Sequence, residues 1–307
     1  MPKSRWRSLL GFFTTCSLAG LTSVSVGAHY DGDVTKWAAL PERFALPTTD
    51  MFERWYQAGL LRLEWRVYLD GGQVRAALMS DIRSVQTPPA FSPRVGDYQF
   101  TDLDTYLRTD DGWLISFRRG EWGGALYWFS PDGGTNRYIG ELQVNQFLRL
   151  HDHILAVEGL SHMGESNGSL IELSRSTDSK EWNYKTVKRL PQTPYVFVPL
   201  DDGGLLIVLL SSVVSLAPDG ELDTIMMLNY WAGENANSLA LLPNGEKAYL
   251  GGRYYVAELD FKERRVRYLV PEEIFQQLMS PGAGGTPESE VQAPARIAPP
   301  APNPNLQ

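Results

Sequence analysis

Residues 197–208 have the sequence Phe197-Val-Pro-Leu-Asp-Asp-Gly-Gly-Leu-Leu-Ile-Val208. Two short apolar runs flank an Asp-Gly pair, and glycine tolerates the positive φ that a tight hairpin turn requires. The same order of apolar run, turn and apolar run recurs three more times, so four β-hairpins are predicted. The other three segments are Tyr106–Phe117, Phe147–Val157 and Leu239–Leu250.

Each of these hairpins is followed by a second hairpin and then by another short apolar run. The second hairpins are predicted at Ala125–Gly134, Ser169–Asp178, Ser212–Glu221 and Tyr255–Lys262. The first turns, at Asp111, Asp152, Asp202 and Asn244, are spaced 41, 50 and 42 residues apart. Four short strands in about 40–45 residues is the period of a β-propeller blade. An all-β fold is therefore predicted, a β-propeller with four visible repeats; a β-sandwich made of similar hairpins is the alternative.

Three of the predicted turns also share a Pro-Asp-Gly or Pro-Asn-Gly motif. These turns are Ser130-Pro-Asp-Gly133, Ala217-Pro-Asp-Gly220 and Leu242-Pro-Asn-Gly245. In this respect residues 101–272 resemble the four-stranded blades of YVTN- and NHL-type propellers. The resemblance implies an architecture and no single activity, because such propellers include binding modules, lactonases and lyases.

A fifth blade is predicted upstream of the four repeats. Apolar residues alternate with polar ones from Leu61 to Leu69, and Asp70-Gly71 then turns the chain into Val74 and Leu78. This alternation is typical of a half-buried hairpin. Five blades are therefore expected, with N- and C-terminal strands sharing a sheet to close the ring.

The first 28 residues have the features of an export signal. Lys3, Arg5 and Arg7 precede the apolar run Leu9–Leu21, and Val26-Gly27-Ala28 supplies the small residues that a signal peptidase reads. We expect cleavage after Ala28, a periplasmic or secreted bacterial protein, and no stable membrane insertion after cleavage. An uncut anchor and lipidation at Cys16 are the alternatives.

The rest of the chain divides into three predicted regions. Residues 29–60 form an N-terminal extension with a short helix, capped by Asp50 and running to Gln57. Residues 61–279 form the propeller domain. Residues 280–307 are rich in proline and poor in large apolar side chains, so a disordered tail is predicted there.

Composition and motifs exclude several functional classes. Lys and Arg number 28 against 36 Asp and Glu, for a net charge of −8, so a general nucleic-acid binder is not expected. One cysteine rules out a disulfide framework. The sequence has no phosphate loop, nucleophile elbow or zinc-protease motif, and no cofactor or metal is expected. His151-Asp152-His153 falls at a repeat turn and is interpreted as turn residues.

One face of the propeller is predicted to carry the functional site. The loops between second and third strands, and between blades, lie opposite the Asp-Gly turns and hold aromatic and charged residues. The candidate binding residues are Trp122, His162, Tyr195, Trp231 and Glu234. Exposed aromatics on loops over a rigid scaffold suit a binding surface, although the same aromatics also suit wedges between blades.

We therefore predict an exported, non-catalytic binding or scaffold module with a protein or glycan partner. The first alternative is a propeller hydrolase or lyase, lactonase-like or glycan-active. The second is a periplasmic protein that neutralises a toxin, as immunity proteins do.

Overall fold

The computed structural model describes residues 30, 32–41, 63–81, 87–96, 98–99, 105–162, 165–228 and 236–279. The chain divides into two compact units, residues 1–30 and 31–307, and the strands belong to the second. The predicted signal peptide, the predicted helix at 50–57 and the predicted tail at 280–307 lie outside the described residues.

The described residues are dominated by β-structure. In chain order the strands are β1 (Ala38–Ala39), β2 (Trp65–Asp70), β3 (Gln73–Leu78), β4 (Arg94–Val95), β5 (Tyr98–Gln99), β6 (Thr105–Thr109), β7 (Gly112–Arg118), β8 (Gly124–Phe129), β9 (Asn136–Gly140), β10 (Val144–Leu150), β11 (His153–His162), β12 (Glu165–Arg175), β13 (Trp182–Leu190), β14 (Pro194–Pro199), β15 (Leu205–Leu209), β16 (Ser212–Leu216), β17 (Leu222–Met227), β18 (Ser238–Leu241), β19 (Lys247–Gly251), β20 (Val256–Asp260) and β21 (Arg265–Val270).

Strands β6 to β21 form four sheets, each an antiparallel meander of four consecutive strands. We number these sheets blade 1 (β6–β9), blade 2 (β10–β13), blade 3 (β14–β17) and blade 4 (β18–β21). The order confirms the predicted hairpins and the propeller architecture, and it is not that of a β-sandwich. Because each blade is a meander, the turns between its first and second strands and between its third and fourth strands lie at one end. The connection between its second and third strands, which we call the 2–3 connection, lies at the other end.

Apolar side chains fill the spaces between the blades. Leu114 and Leu126 of blade 1 form one buried cluster with Ile154 and Ile171 of blade 2. The opposite face of blade 2 joins blade 3 in a second cluster, which includes Val157, Leu170, Phe197, Ile207 and Val214. Alternation along each strand sends successive side chains to the two neighbouring blades, so sequential blades share continuous cores.

Strands β2 and β3 occupy a fifth position in the ring. On one side the Trp65 N–H donates to Gly252 O at 2.8 Å, and the Val67 N–H donates to Ser238 Oγ at 2.9 Å, both in blade 4. On the other side Arg66 interacts electrostatically with Tyr106 of blade 1. The fifth blade predicted from Leu61 to Leu78 is thus a two-stranded sheet among the described residues.

The predicted sharing of one sheet by N- and C-terminal strands is also present. Strand β1 pairs antiparallel with β21, so that Ala38 lies opposite Val270 and Ala39 opposite Leu269. Blade 4 already has four strands of its own, and β1 is therefore a fifth strand on its outer edge.

Serine hydroxyls connect neighbouring blades at three of these contacts. Ser116 Oγ of β7 accepts the Val144 N–H at 3.0 Å, and Ser166 Oγ of β12 accepts the Thr193 N–H at 2.8 Å. Ser238 makes the corresponding bond to Val67. Each hydroxyl satisfies a backbone donor of the next blade: Val144 and Thr193 lie at or beside the start of an inner strand, and Val67 is the third residue of β2.

Short helices follow or interrupt the strands. Two 3-10 helices span Val34–Lys36 and Gly120–Trp122, and helix α1 spans Glu272–Met279. Helix α1 was not predicted from the sequence. It begins after Pro271 with Glu272 and Glu273 in its first turn, where the helix dipole favours acids, and it buries Ile274.

Candidate functional site

The candidate site lies at the end of the blades that carries the 2–3 connections, which we call the loop face. In blades 1 and 2 these connections are Arg119–Gly123 and the segment after His162. Strand β11 of blade 2 packs against the 3-10 helix Gly120–Trp122 of blade 1. Strand β11, which ends at His162, therefore lies beside the turn that carries Trp122.

Trp122 stands on a well-defined turn in blade 1. Its side chain is 76% exposed, the highest value among the large hydrophobic residues described. Gly120 and Gly123 adopt positive φ values of 57° and 81°, and the Arg119 N–H donates to Gly123 O at 2.8 Å. These features fix the backbone beneath an exposed indole.

The buried side chain of Gln143, which precedes β10 of blade 2, also holds this turn. With its amide nitrogen directed at the turn, Gln143 donates to Gly123 O at 2.7 Å and to Gly120 O at 3.2 Å. An amide from the neighbouring blade thus holds the turn that carries Trp122.

His162 closes β11 at the same face. It lies opposite Glu165 across the 2–3 connection and its side chain is half-buried. Trp122 and His162 are therefore placed on the same side of neighbouring blades.

Tyr195 differs from the prediction of an exposed loop residue. It lies in β14, is only 8% exposed, and is the extra residue of a β-bulge between Pro194 and Val196. Burial raises the pKa of its hydroxyl to about 12, an effect that the nearby positive charge of Arg118 opposes. A loop was predicted at Tyr195, because a bulge interrupts the alternation that marks a strand.

Trp231 and Glu234 lie outside the described residues. Their placement on the loop face stays a prediction.

Asn145 was missed by sequence analysis. It is the extra residue of a bulge in β10, seven residues before Asp152, as Tyr195 is seven before Asp202. Its amide nitrogen donates to Gly159 O at 3.2 Å and to Pro194 O at 2.7 Å, which ties blade 2 to blade 3. Its Oδ1 is buried and accepts no hydrogen bond within the described part of the chain. Because Asn145 and Tyr195 lie at equivalent positions of two repeats, the repeat spacing was the sequence signal for Asn145.

Glu158 adds a partly buried carboxyl near the end of β11. Burial raises its pKa, and a hydrogen bond with Ser169 and the charge of Arg189 oppose that shift. The loop face of blades 1 and 2 thus presents the exposed indole of Trp122 with the half-buried Arg118 and Glu158, whereas Tyr195 and Asn145 Oδ1 are buried. This set can contact a ring or an apolar surface and hydrogen-bond to the groups beside it.

The described residues include no cluster of three or more His, Cys, Asp or Glu placed to hold a metal ion. The predicted turn at His151-Asp152 is confirmed. His153 begins strand β11, and its Nδ1 lies 2.5 Å from Glu172 Oε1 of the neighbouring strand β12. No helix within the described ranges is long and apolar enough to cross a membrane.

No protein-family model matches this chain, and no curated protein matches it. Among solved structures, it is similar to a streptogramin B lyase (12% identity, TM-score 0.34, 56% of each chain covered). It is also similar to a gluconolactonase from Xanthomonas campestris (12% identity, TM-score 0.35, 54% of this chain and 56% of that one).

A further similarity is to the extracellular domain of a one-component system from B. thetaiotaomicron, at 13% identity and a TM-score of 0.34. The match covers 53% of this chain and 21% of that one. This chain thus spans about a fifth of one of these structures and just over half of the other two. Its β-propeller architecture follows from its own four sequential four-stranded sheets.

Proposed function

We propose that this β-propeller is a non-catalytic binding module that engages a protein or glycan partner through the loop face. The observation that carries the proposal is Trp122, whose indole is 76% exposed on a hydrogen-bonded turn. Leaving a side chain of this size in water forgoes roughly 1.5–3 kcal/mol of burial free energy. Rigid exposed aromatics are the residues that anchor interfaces, since they lose little conformational entropy on binding.

The surroundings of Trp122 support the same function. Arg118 lies four residues before Trp122, and Glu158 lies in β11, which packs against the Gly120–Trp122 helix, so half-buried charges of both signs lie close to the turn. An interface needs such polar groups around its aromatic anchor to fix orientation. Trp231 and Glu234 are proposed to extend this surface from blade 4.

The test is a binding comparison between wild-type protein, Trp122→Ala and a matched control. An array of bacterial envelope glycans and an array of envelope proteins serve as probes. The control is Tyr68→Ala, which removes an aromatic that is 42% exposed on β2. Wild type and the control should bind the same probe, while Trp122→Ala should bind at least about tenfold more weakly, as expected for an interface anchor. Equal binding by all three proteins would contradict the proposed site.

The enzyme alternative has its own outcome in a substrate screen. Lactones, glycosides and uronate-containing glycans are incubated with the protein, and products are detected by mass spectrometry. Turnover that a single substitution abolishes would replace the binding proposal with a hydrolase or lyase. A protein toxin captured on the array would specify the immunity-type alternative within the binding class.

We also propose that the protein is exported and cut after Ala28. The support is the order of Lys3, Arg5 and Arg7, the apolar run and Val26-Gly27-Ala28. Intact mass of protein from a bacterial envelope fraction should match a chain beginning at His29. A mass for all 307 residues in the cytosolic fraction would contradict export.

A further inference from the structure

Strand β13 forms the outer edge of blade 2 and is unusually open. It is nine residues long and pairs on one side with β12, and no described strand pairs with its other side. Residues 183–187 are all exposed, so both faces of the strand reach solvent there. Tyr184 and Val187 are 41% and 47% exposed. The pairing of β13 is regular from Trp182 to Thr186, before a bulge at Val187, and this part of the edge presents unpaired backbone N–H and C=O groups, which form a template for another strand.

The edge carries positive charge on an acidic protein. Residues 175–189 contain five Lys or Arg and two Asp or Glu, while the whole chain has a net charge of −8. Lys185 is the more exposed partner of its ion pair, with 72% of its side chain accessible against 16% for Glu172. A segment added along this edge therefore meets local positive charge, which favours acidic residues.

The protein already uses the equivalent edge of blade 4 in this way. Strand β1 pairs with the outermost strand β21, and the Leu40 N–H donates to Tyr268 O at 2.8 Å. Only two residues, Ala38 and Ala39, make up that added strand. An outer edge in this propeller thus accepts a short extended segment without distortion of the blade.

A cleft of about 230 Å³ opens beside the first residues of β13, between the outer strands of blades 1 and 2. Its walls include Trp128, Arg137, Tyr138, Arg175, Lys180 and Trp182. Arg175 is held by Asp111 Oδ2 at 3.1 Å and by Lys180 O at 3.0 Å, and Arg137 reaches Glu181 at 3.5 Å. Aromatic walls with three cations and one acid suit an acidic or aromatic side chain from a bound segment.

We propose that the outer edge of β13 binds an extended, acidic segment of a partner protein as an added strand. Backbone hydrogen bonds supply the affinity, and Lys185 and the cleft select the charge. A second copy of this chain is disfavoured as the occupant, because two copies of β13 would bring like charges together. The inference is independent of the proposed loop-face function, since it concerns the outer strand of one blade.

Synthetic peptides test the charge and the backbone contacts separately. The probe is a fluorescein-labelled ten-residue peptide of alternating Thr and Glu, measured by fluorescence anisotropy. It should bind, and its affinity should fall severalfold when NaCl rises from about 50 to 300 mM, because ionic contacts are screened. An alternating Thr and Lys peptide should not bind. The Thr and Glu peptide with alternate backbone nitrogens methylated should lose at least about tenfold in affinity.

Two variants locate the site. Tyr184→Asp and Val187→Asp place acids on the exposed edge and should each weaken binding of the Thr and Glu peptide by about tenfold or more, through like-charge repulsion. The control is Met227→Asp on β17, the outer strand of blade 3, where the side chain is 65% exposed. The control and Trp122→Ala should bind the peptide as wild type does, which separates this edge from the loop face.

Hydrogen exchange of wild-type protein provides a readout independent of these variants. Bound peptide should slow exchange of amides in residues 182–190. Equal affinity of the methylated peptide, unchanged exchange in β13, or tighter binding of a single-stranded oligonucleotide than of the acidic peptide would overturn the proposal. Self-association that the peptide does not inhibit but Tyr184→Asp abolishes would also overturn it, in favour of a second copy.

Discussion

Arg267 of β21 donates to both carboxylate oxygens of Glu258 on the adjacent strand β20, at 3.0 and 2.8 Å. The Tyr249 hydroxyl donates to the same carboxylate at 2.9 Å, and Lys247 Nζ lies 3.3 Å from it. Glu258 is 4% exposed. Burial alone raises the pKa of this carboxyl, but the hydrogen bonds from Arg267, Tyr249 and Lys247 outweigh burial and lower it.

We expect Glu258→Gln to destabilise the protein by about 1–3 kcal/mol at pH 7. The substitution removes the buried negative charge to which Arg267 and Lys247 are paired. Because the pKa of Glu258 is lower in the folded protein, its ionised carboxylate stabilises the fold at pH values above the ordinary pKa of 4.5. This stabilisation is lost as the pH falls through the lower pKa of the folded state. Urea unfolding of wild type and variant should therefore differ at pH 7 and converge as the pH is lowered well below 4.5.

Glu263→Gln is the matched control for this pH series. Glu263 also pairs with an arginine, Arg265 at 2.9 Å, but both side chains are more than half exposed. Pairs of this kind contribute about 0–1 kcal/mol. A loss equal to that of Glu258→Gln, or a Glu258→Gln difference that persists unchanged into acid, would contradict the role given to burial.

Asp111 should matter more for stability than other aspartates of the repeat turns. One of its oxygens accepts the Thr109 hydroxyl at 2.8 Å within the turn, and the other meets Arg175 Nε at 3.1 Å and Trp182 Nε1 at 3.4 Å in blade 2. We expect Asp111→Ala to cost about 1.5–3 kcal/mol in thermal or urea unfolding, since it removes turn and inter-blade bonds together.

Asp219→Ala is the control, because Asp219 holds only its own turn, through the Glu221 N–H at 3.1 Å. Asp219→Ala should lower the free energy of unfolding by about 0.5–1 kcal/mol, which is the net contribution of one hydrogen bond. Equal losses for the two variants would mean that the contacts of Asp111 to blade 2 contribute nothing.

Asp111 also illustrates what the sequence can predict here. The Asp-Gly pairs identified the hairpins, and their spacing identified the blades, because turn chemistry and strand alternation act over a few residues. That Asp111 also joins blade 1 to blade 2 depends on Arg175, which lies 64 residues away in the chain. No local pattern encodes that pairing.

The candidate site was predicted in the same uneven way. Trp122 and His162 were placed on one face by repeat phase alone, since equivalent connections of neighbouring blades must lie together. Tyr195 was predicted on an exposed loop and Asn145 was not predicted at all, because each is the extra residue of a bulge, and a bulge changes which way a side chain points.

The serine hydroxyls that connect the blades give a third prediction. Ser116→Ala and Ser238→Ala should each cost about 1–3 kcal/mol, because each leaves a backbone N–H, of Val144 or Val67, without its acceptor. The two serines lie at different blade contacts, so the double variant should lose the sum of the two.

Ser80→Ala is the matched surface control for the serine variants. Ser80 is exposed and bonds only to the neighbouring Asp81, at 3.1 Å. Its removal should change stability by less than about 0.5 kcal/mol. Urea midpoints for the four variants measure all three expectations, and a neutral Ser116→Ala would show that water replaces the hydroxyl.

Gly112, at the start of β7, should be the least replaceable glycine of the repeat turns. A Cβ at this position would lie 2.0 Å from Phe129 O and 2.9 Å from Trp128 Nε1, and the backbone φ is +156°. Gly71, at the equivalent turn of β2 and β3, has a φ of +57° but no atom within 4 Å of its Cβ position. Gly112→Ala therefore meets backbone overlap as well as strain, and we expect a loss of about 3 kcal/mol or more, whereas Gly71→Ala should lose about 1–2 kcal/mol from the left-handed conformation alone. In thermal unfolding each kcal/mol corresponds to about 2–4 °C for a domain of this size. If the two variants melt together, β7 and β8 separate readily at this turn, and close approach of their backbones is not what requires glycine at 112.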